Sequence, residues 1–120
     1  MEFLIQLLIY IIVLEHFYFF ILESFLWTNN RTRKIFGLKS LEFAQETKVL
    51  AANQGLYNSF LAVGLLISSF KEDSFYIQLF LCFVLTAGII GALTTKKIRL
   101  FLVQGLPALI TIALIYLKTI

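Results

Sequence analysis

Apolar residues dominate the chain in four long stretches. Three of them contain no charged side chain: residues 49–70, 74–95 and 100–117. The fourth, residues 3–26, contains three ionisable groups. A helix of about 20 residues spans the roughly 30 Å hydrocarbon layer of a bilayer. The pattern therefore predicts an all-α fold, a bundle of four transmembrane helices in a single domain over residues 1–120. The predicted helices cover, approximately, residues 3–27, 48–69, 74–94 and 99–118.

Composition supports the membrane-protein class. The chain is 60% hydrophobic and 14% charged, with a mean hydropathy of +0.91, whereas soluble domains are about 45–50% apolar and about 25% charged. The first apolar stretch follows directly on Met1 and Glu2, without the basic segment and small-residue cleavage site of a signal peptide. We therefore expect the first helix to be a membrane span.

Basic residues cluster in two of the three connections between predicted helices. They are Arg31, Arg33, Lys34, Lys39 and Lys48 around the first connection, and Lys96, Lys97 and Arg99 around the last. The middle connection, KEDS, has one lysine and two acidic residues. Lys and Arg are enriched in cytoplasmic loops, so we predict a multi-pass protein of the cell membrane with residues 28–47 and 95–98 in the cytosol and both termini outside. The basic pI then reflects this bias and requires no nucleic acid partner.

Three ionisable residues, Glu15, His16 and Glu23, lie within the first predicted helix. At about 100° per residue they share one arc of the helix. A charged group at the bilayer centre costs at least about 2.5–3.5 kcal/mol, so such groups face protein or water. Two interpretations stay open: a hydrogen-bonded cluster that fixes helix packing, or a site that binds a ligand or handles protons.

The second predicted helix begins with the polar segment AANQGLYNSF. Gln54 and Asn58 share a face with small residues, while Asn53, Tyr57 and Glu46 lie along an adjacent face. Small residues allow close helix approach, and amides can hydrogen-bond across a helix interface. Polar groups on two faces predict that protein covers most of this helix, either inside the bundle or at the interface of a homodimer or homotrimer.

The intramembrane polar residues gather in the predicted cytosolic half of the bundle. This pattern is typical of a cavity that opens to the cytosol, with basic loops around its mouth. The candidate ligand-binding residues are Glu15, His16, Glu23, Glu46, Lys48, Asn53, Gln54, Asn58 and Gln104. In the fourth helix, Pro107 predicts a kink because proline lacks a backbone donor.

The sequence predicts neither a metal site nor a cofactor. Glu15 and Glu23 are about 12 Å apart along a helix axis, too far to ligate one ion together. The sequence contains no H-E-x-x-H, Gly-rich phosphate loop or C-x-x-C motif. If the polar site is catalytic, the acid–base candidates are Glu15, His16 and Tyr57.

The sequence resembles a family of small integral membrane proteins of bacteria and fungi, domain of unknown function 1304. The resemblance rests on the segments LEHFYFFILESFLW, FAQETKVLAANQGLYNSFLAVGLL, GALTTKK and VQGLPAL, and covers nearly the whole chain. It implies a four-helix membrane protein without an established activity. The residues of this chain that match the motifs of the family are Glu15, His16, Glu23, Glu46, Lys48, Asn53, Gln54, Asn58, Gln104 and Pro107.

A more distant similarity is to the membrane-associated glutathione and eicosanoid enzymes. Those enzymes are four-helix trimers with both termini outside and an Asn in a polar second helix. Their second helix carries arginines before that Asn, whereas the segment ETKVLAAN has only Lys48. The similarity therefore implies a fold analogy and does not imply glutathione chemistry.

The leading interpretation is a small membrane protein whose cytosol-facing polar site binds a small anionic or amphipathic molecule. Two other classes remain: a membrane enzyme, and a structural subunit in which the polar cluster only fixes helix packing. A transporter would require dimerisation because the chain has only four helices, and no internal repeat supports inverted halves.

Overall fold

The computed structural model describes all residues from Met1 to Ile120, and they form helices and short connections only. The elements are α1 (Glu2–Phe25), α2 (Asn30–Phe36), α3 (Leu41–Glu46), α4 (Lys48–Phe70), α5 (Ser74–Thr95), α6 (Ile98–Leu100), a π-helical turn (Phe101–Gly105) and α7 (Leu106–Thr119).

Four helical segments are long and apolar enough to cross a membrane: Glu2–Phe25, Lys48–Phe70, Ser74–Thr95 and Ile98–Thr119. The all-α fold with four transmembrane helices is therefore confirmed. The last span combines α6, the π-helical turn and α7 into one continuous helical segment.

The chain divides into two compact units. Unit 1 comprises residues 1–15 and 61–120, and unit 2 comprises residues 16–60. Helices α1 and α4 each contribute residues to both units. The single domain over residues 1–120 stays a prediction.

Unit 1 has an apolar core to which every spanning helix contributes. Its buried hydrophobic residues are Ile5, Ile9, Ile12, Val13, Ala62, Leu65, Ile77, Leu81, Val84 and Ala108. The backbone of α5 lies very close to the π-helical turn, because a Cβ atom added at Gly88 would lie 2.6 Å from the nitrogen of Gly105. Gly88 therefore sets how closely these two segments pack.

The π-helical turn lies immediately before Pro107, near the start of α7. Proline has no N–H, and its ring collides with the carbonyl four residues earlier. The helix accommodates Pro107 by widening, and the Leu106 N–H donates to the Phe101 carbonyl, five residues back. The structure thus shows a wider turn before Pro107, and the predicted kink stays a prediction.

Polar contacts join the helices at one end of unit 1. The Ser69 hydroxyl of α4 donates to Oε1 of Gln6 in α1 at 2.9 Å. Glu2 at the start of α1 forms an ion pair with Lys118 near the end of α7. Because these two residues are close to the chain ends, both termini lie at the same end of unit 1.

Unit 2 is a helical hairpin closed by a structured connection. The side chain of Asn29 caps α2 by accepting from the Arg31 N–H at 3.0 Å, and Gly37 ends α2 in the left-handed conformation at φ 65°. The Ser40 hydroxyl caps α3 by accepting from the Phe43 N–H at 3.0 Å. The connection over residues 28–47 is thus largely helical.

An aromatic contact and a hydrogen bond hold this connection to the end of α1. Trp27 Nε1 donates to the Thr47 hydroxyl at 3.0 Å. The Trp27 ring packs on Phe36 of α2 with ring centroids 5.0 Å apart, and Phe36 also meets Phe19 of α1 edge-on. The start of α4 is therefore positioned against the end of α1, which brings their polar residues within reach of each other.

Candidate functional site

The predicted site residues differ widely in exposure. His16, Glu23 and Asn58 are buried in unit 2, where they are respectively 0%, 5% and 5% exposed. Glu15 and Gln104 are part-buried and belong to unit 1. The remaining candidates, all of them in unit 2, are exposed: Glu46, Lys48, Asn53, Gln54 and Tyr57.

Glu23 and Asn58 form a buried hydrogen bond between α1 and α4. Nδ2 of Asn58 donates to Oε1 of Glu23 at 2.7 Å, although 35 residues separate them in sequence. A charged or strongly polar group within a membrane span needs such a partner, because lipid offers none. This pair is the part of the predicted site that the structure brings together.

Gly55 permits the close approach of α1 and α4 at this pair. A Cβ atom at Gly55 would collide with the Ser24 hydroxyl and would lie 3.1 Å from Cβ of Glu23 and 3.2 Å from the Phe20 carbonyl oxygen. Gly55 lies one helical turn before Asn58, on the face of α4 that meets α1. Small residues at such positions let membrane helices pack backbone to backbone.

The Ser24 hydroxyl is buried and has no hydrogen-bond partner. Other hydroxyls in the spanning helices donate to the carbonyl four residues earlier, as Ser68 does to Gly64 at 2.7 Å and Thr111 does to Pro107 at 2.7 Å. Ser24 does not make this bond to Phe20. A buried polar group without a partner requires an explanation, such as a ligand or a water molecule that the hydroxyl contacts.

His16 and Glu15 are adjacent in α1 but belong to different units. The His16 imidazole is fully buried and packs edge-on against Phe19, with ring centroids 5.9 Å apart. In unit 1, Oε2 of Glu15 is buried without a hydrogen-bond partner. Glu15 is thus a second buried polar group whose hydrogen-bonding capacity is not fully used.

At the Glu23–Asn58 pair the available chemistry is hydrogen bonding by neutral and acidic groups. Glu23 offers a carboxyl group, Asn58 an amide and Ser24 a hydroxyl. Tyr57, an acid–base candidate from sequence, is 60% exposed and its ring packs beside Phe60 at a centroid distance of 6.4 Å. No group of three or more His, Cys, Asp or Glu side chains is arranged to hold a metal ion.

Sequence reasoning missed Ser24 altogether, and it missed the contact that Gly55 makes. Ser24 is adjacent to Glu23 and lies in a strongly apolar segment, a signal that could have identified it. Gly55 is one of the small residues that share a face with Gln54 and Asn58, but its contact with Ser24 and Glu23 depends on how α1 packs on α4.

Four membrane-crossing helices and a buried polar pair between two of them define a small multi-pass membrane protein with an intramembrane polar cluster. The chain belongs to the family described as "Protein of unknown function (DUF1304)", which its sequence matches over residues 10–116. The resemblance seen in the sequence is thereby confirmed.

One relative is the uncharacterized protein YpaA of Lactococcus lactis subsp. lactis (strain IL1403). It is 29% identical over 98 residues, which are 79% of this chain and 82% of YpaA. No solved structure matches the chain.

Proposed function

We propose that this protein binds a small amphipathic or anionic molecule at a polar site in unit 2, built from Glu23, Ser24 and Asn58. The observation that carries the proposal is the buried Ser24 hydroxyl without a partner, next in sequence to the Glu23–Asn58 hydrogen bond. Leaving a buried hydroxyl unsatisfied costs about 1–3 kcal/mol. A bound molecule that accepts or donates at this position offsets that cost.

The carboxyl group of Glu23 favours an amphipathic ligand over a simple anion. A negative group placed beside an ionised Glu23 would be repelled in the low dielectric of the membrane interior. A ligand with hydroxyl or amine donors and an apolar body fits both Glu23 and the surrounding apolar residues. An anionic group would instead lie among the basic residues of the connections at the membrane surface.

Access to the site is from the cytosol in this proposal. The clustering of Lys and Arg around residues 28–47 and 95–99 supports a cytosolic location for both connections. Unit 2 contains the first of these connections together with Glu23 and Asn58. The proposed ligand therefore reaches the polar site from the side that carries the basic residues.

We further propose that the chain self-associates through the exposed face of α4. Asn53, Gln54 and Tyr57 are exposed within a membrane-spanning helix. Amide groups facing lipid lack partners, whereas the same amides can hydrogen-bond to those of a second copy. A homodimer or a homotrimer would cover this face.

Native mass spectrometry of protein released from mild detergent tests the ligand-binding proposal. We expect a co-purified small molecule on the wild-type chain, and a strong reduction of that adduct in Glu23→Gln. Ser68→Ala is the matched control, because it removes a hydroxyl whose bond lies within its own helix. Equal adduct on wild type and Glu23→Gln would show that the pair only fixes helix packing.

A further inference from the structure

A cleft of about 710 Å³ lies in unit 1, at the end where the two chain termini meet. It is formed by the start of α1, the turn between α4 and α5, the start of α5 and the end of α7. Its volume is within the roughly 300–1,000 Å³ of small-molecule sites. None of the residues of the polar site in unit 2 lines it.

The apolar part of the cleft lining consists of isoleucines. Ile5 and Ile9 lie one turn apart on α1, and Ile77 of α5 and Ile115 of α7 complete the apolar lining. Three of the four, Ile5, Ile9 and Ile77, are buried in the core of unit 1. The deep part of the cleft therefore favours an apolar chain.

Charged groups line the same cleft, and carboxylates outnumber ammonium groups among them. Lys118 is paired with Glu2, whereas Glu72 lines the cleft without an ion-pair partner. Glu72 is exposed and lies in the turn between α4 and α5. Among the lining residues, the charge without an ion-pair partner is therefore negative, and it is accessible to a cationic group.

The lining also distinguishes between kinds of cation. A quaternary ammonium group is bound best over the faces of aromatic rings, and the cleft has no aromatic side chain in its lining. A primary ammonium group instead donates hydrogen bonds, which carboxylates accept strongly. The carboxylate of Glu72 thus fits a primary ammonium group better than a quaternary one.

The position of the cleft along the helices matches an amphiphile. Glu2 and Lys118 lie at the ends of membrane-spanning segments, whereas Ile9 lies two turns inside α1. A molecule in the cleft would have its head group at the membrane surface and its chain at the depth of the hydrocarbon.

We propose that this cleft binds an amphiphile with a primary ammonium head group, with the head at Glu72 and the chain along the four isoleucines. Two sources share this chemistry: a phospholipid such as phosphatidylethanolamine, and a free long-chain alkylamine.

Native mass spectrometry of the full chain from nanodiscs of defined composition tests the proposal. The lipids are phosphatidylethanolamine and phosphatidylcholine with identical acyl chains, and the free ligands are dodecylamine and its uncharged counterpart dodecanol. We expect phosphatidylethanolamine to be retained about tenfold or more above phosphatidylcholine, and dodecylamine about tenfold or more above dodecanol. This difference corresponds to one charge-assisted hydrogen bond. Retention of phosphatidylethanolamine alone identifies a lipid site, and retention of dodecylamine alone identifies a site for a free amine.

Two variants separate the head-group contact from the apolar walls. Glu72→Gln should abolish the preference for a primary ammonium group, whereas Lys71→Gln, a charge change at the adjacent residue outside the cleft lining, should retain it. Ile115→Trp should reduce retention of every ligand by filling the apolar part. Equal retention of both lipids and of both free ligands by the wild-type chain, or an unchanged preference in Glu72→Gln, would overturn the proposal.

Discussion

The amide of Asn58 donates a 2.7 Å hydrogen bond to Oε1 of Glu23, and each residue is only 5% exposed. This bond joins α1 to α4 within the part of the chain that carries the connection between them. Around it, Gly55 brings the two backbones close, and Ser24 presents a hydroxyl that no protein group bonds.

The Asn58–Glu23 bond should stabilise the folded protein. Asn58→Leu removes the donor and leaves a buried carboxyl group without its partner, which should cost about 1–3 kcal/mol. Glu23→Gln should cost less, since a glutamine side chain retains an oxygen that accepts from Asn58. Thermal unfolding in detergent micelles gives both values. A smaller loss in Asn58→Leu than in Glu23→Gln would contradict the assigned bond.

Gly55→Ala should weaken the packing of α1 on α4. The new Cβ atom forces the Ser24 hydroxyl to rotate and lies 3.1 Å from Cβ of Glu23 and 3.2 Å from the Phe20 carbonyl oxygen, so the two helices must shift apart slightly. In Gly91→Ala the nearest atom, Cδ1 of Leu100, would be 3.8 Å away. That control should be neutral, or stabilising by up to about 1 kcal/mol through helix propensity.

A double variant tests the reason for the Gly55 effect. Ser24→Ala removes the hydroxyl that the new Cβ atom meets, so it should restore part of the melting temperature lost in Gly55→Ala. Purely additive effects of the two changes on melting temperature would indicate that Ser24 and Gly55 do not touch.

Membrane orientation follows from the distribution of basic residues. In a Cys82→Ser background, a cysteine in Glu72→Cys should react with an impermeant thiol reagent from outside, and one in Lys97→Cys only from the cytosol. If the Glu72→Cys variant instead reacted only from the cytosol and the Lys97→Cys variant from outside, both termini and the turn after α4 would lie in the cytosol. They would also remove the basis for cytosolic access to the site in unit 2.

Self-association should depend on the exposed amides of α4. The double change Asn53→Leu and Gln54→Leu removes the hydrogen-bonding groups that a second copy would satisfy, and should shift the protein toward monomer in mild detergent. Gln78→Leu, at an exposed amide on α5, is the control and should leave the mass distribution unchanged. A wild-type chain that is monomeric at every concentration measured by native mass spectrometry would contradict this prediction.

Much of the fold is predictable from the sequence because lipid imposes a strict rule. Charge-free stretches must form helices that satisfy their own backbone groups, and the observed ends of the four spanning helices lie within two residues of the expected positions. The connection was harder to predict. Its short helices depend on the caps at Asn29 and Ser40 and on the packing of Trp27 with Phe36.

The site was only partly predictable. The pairing of Glu23 with Asn58 agrees with the rule that intramembrane acids face polar partners. Periodicity could not show that Asn53 and Gln54 lie on an exposed face while Asn58 is buried, because all three belong to one polar segment. That division depends on which face of α4 meets α1 at Gly55, and this is a matter of packing.

The most direct test of the central claim measures two properties of Ser24→Ala: its thermal stability and the amount of co-purified ligand that it carries. If Ser24 contacts a bound molecule, its removal should lower the co-purified adduct seen by native mass spectrometry at least about tenfold, the effect of about 1.4 kcal/mol. The ligand-free variant should melt no lower than the ligand-free wild type, because a buried unsatisfied hydroxyl is removed. An adduct that is absent from the wild type, or present in equal amount on Ser24→Ala, would contradict the account of unit 2 as a binding site.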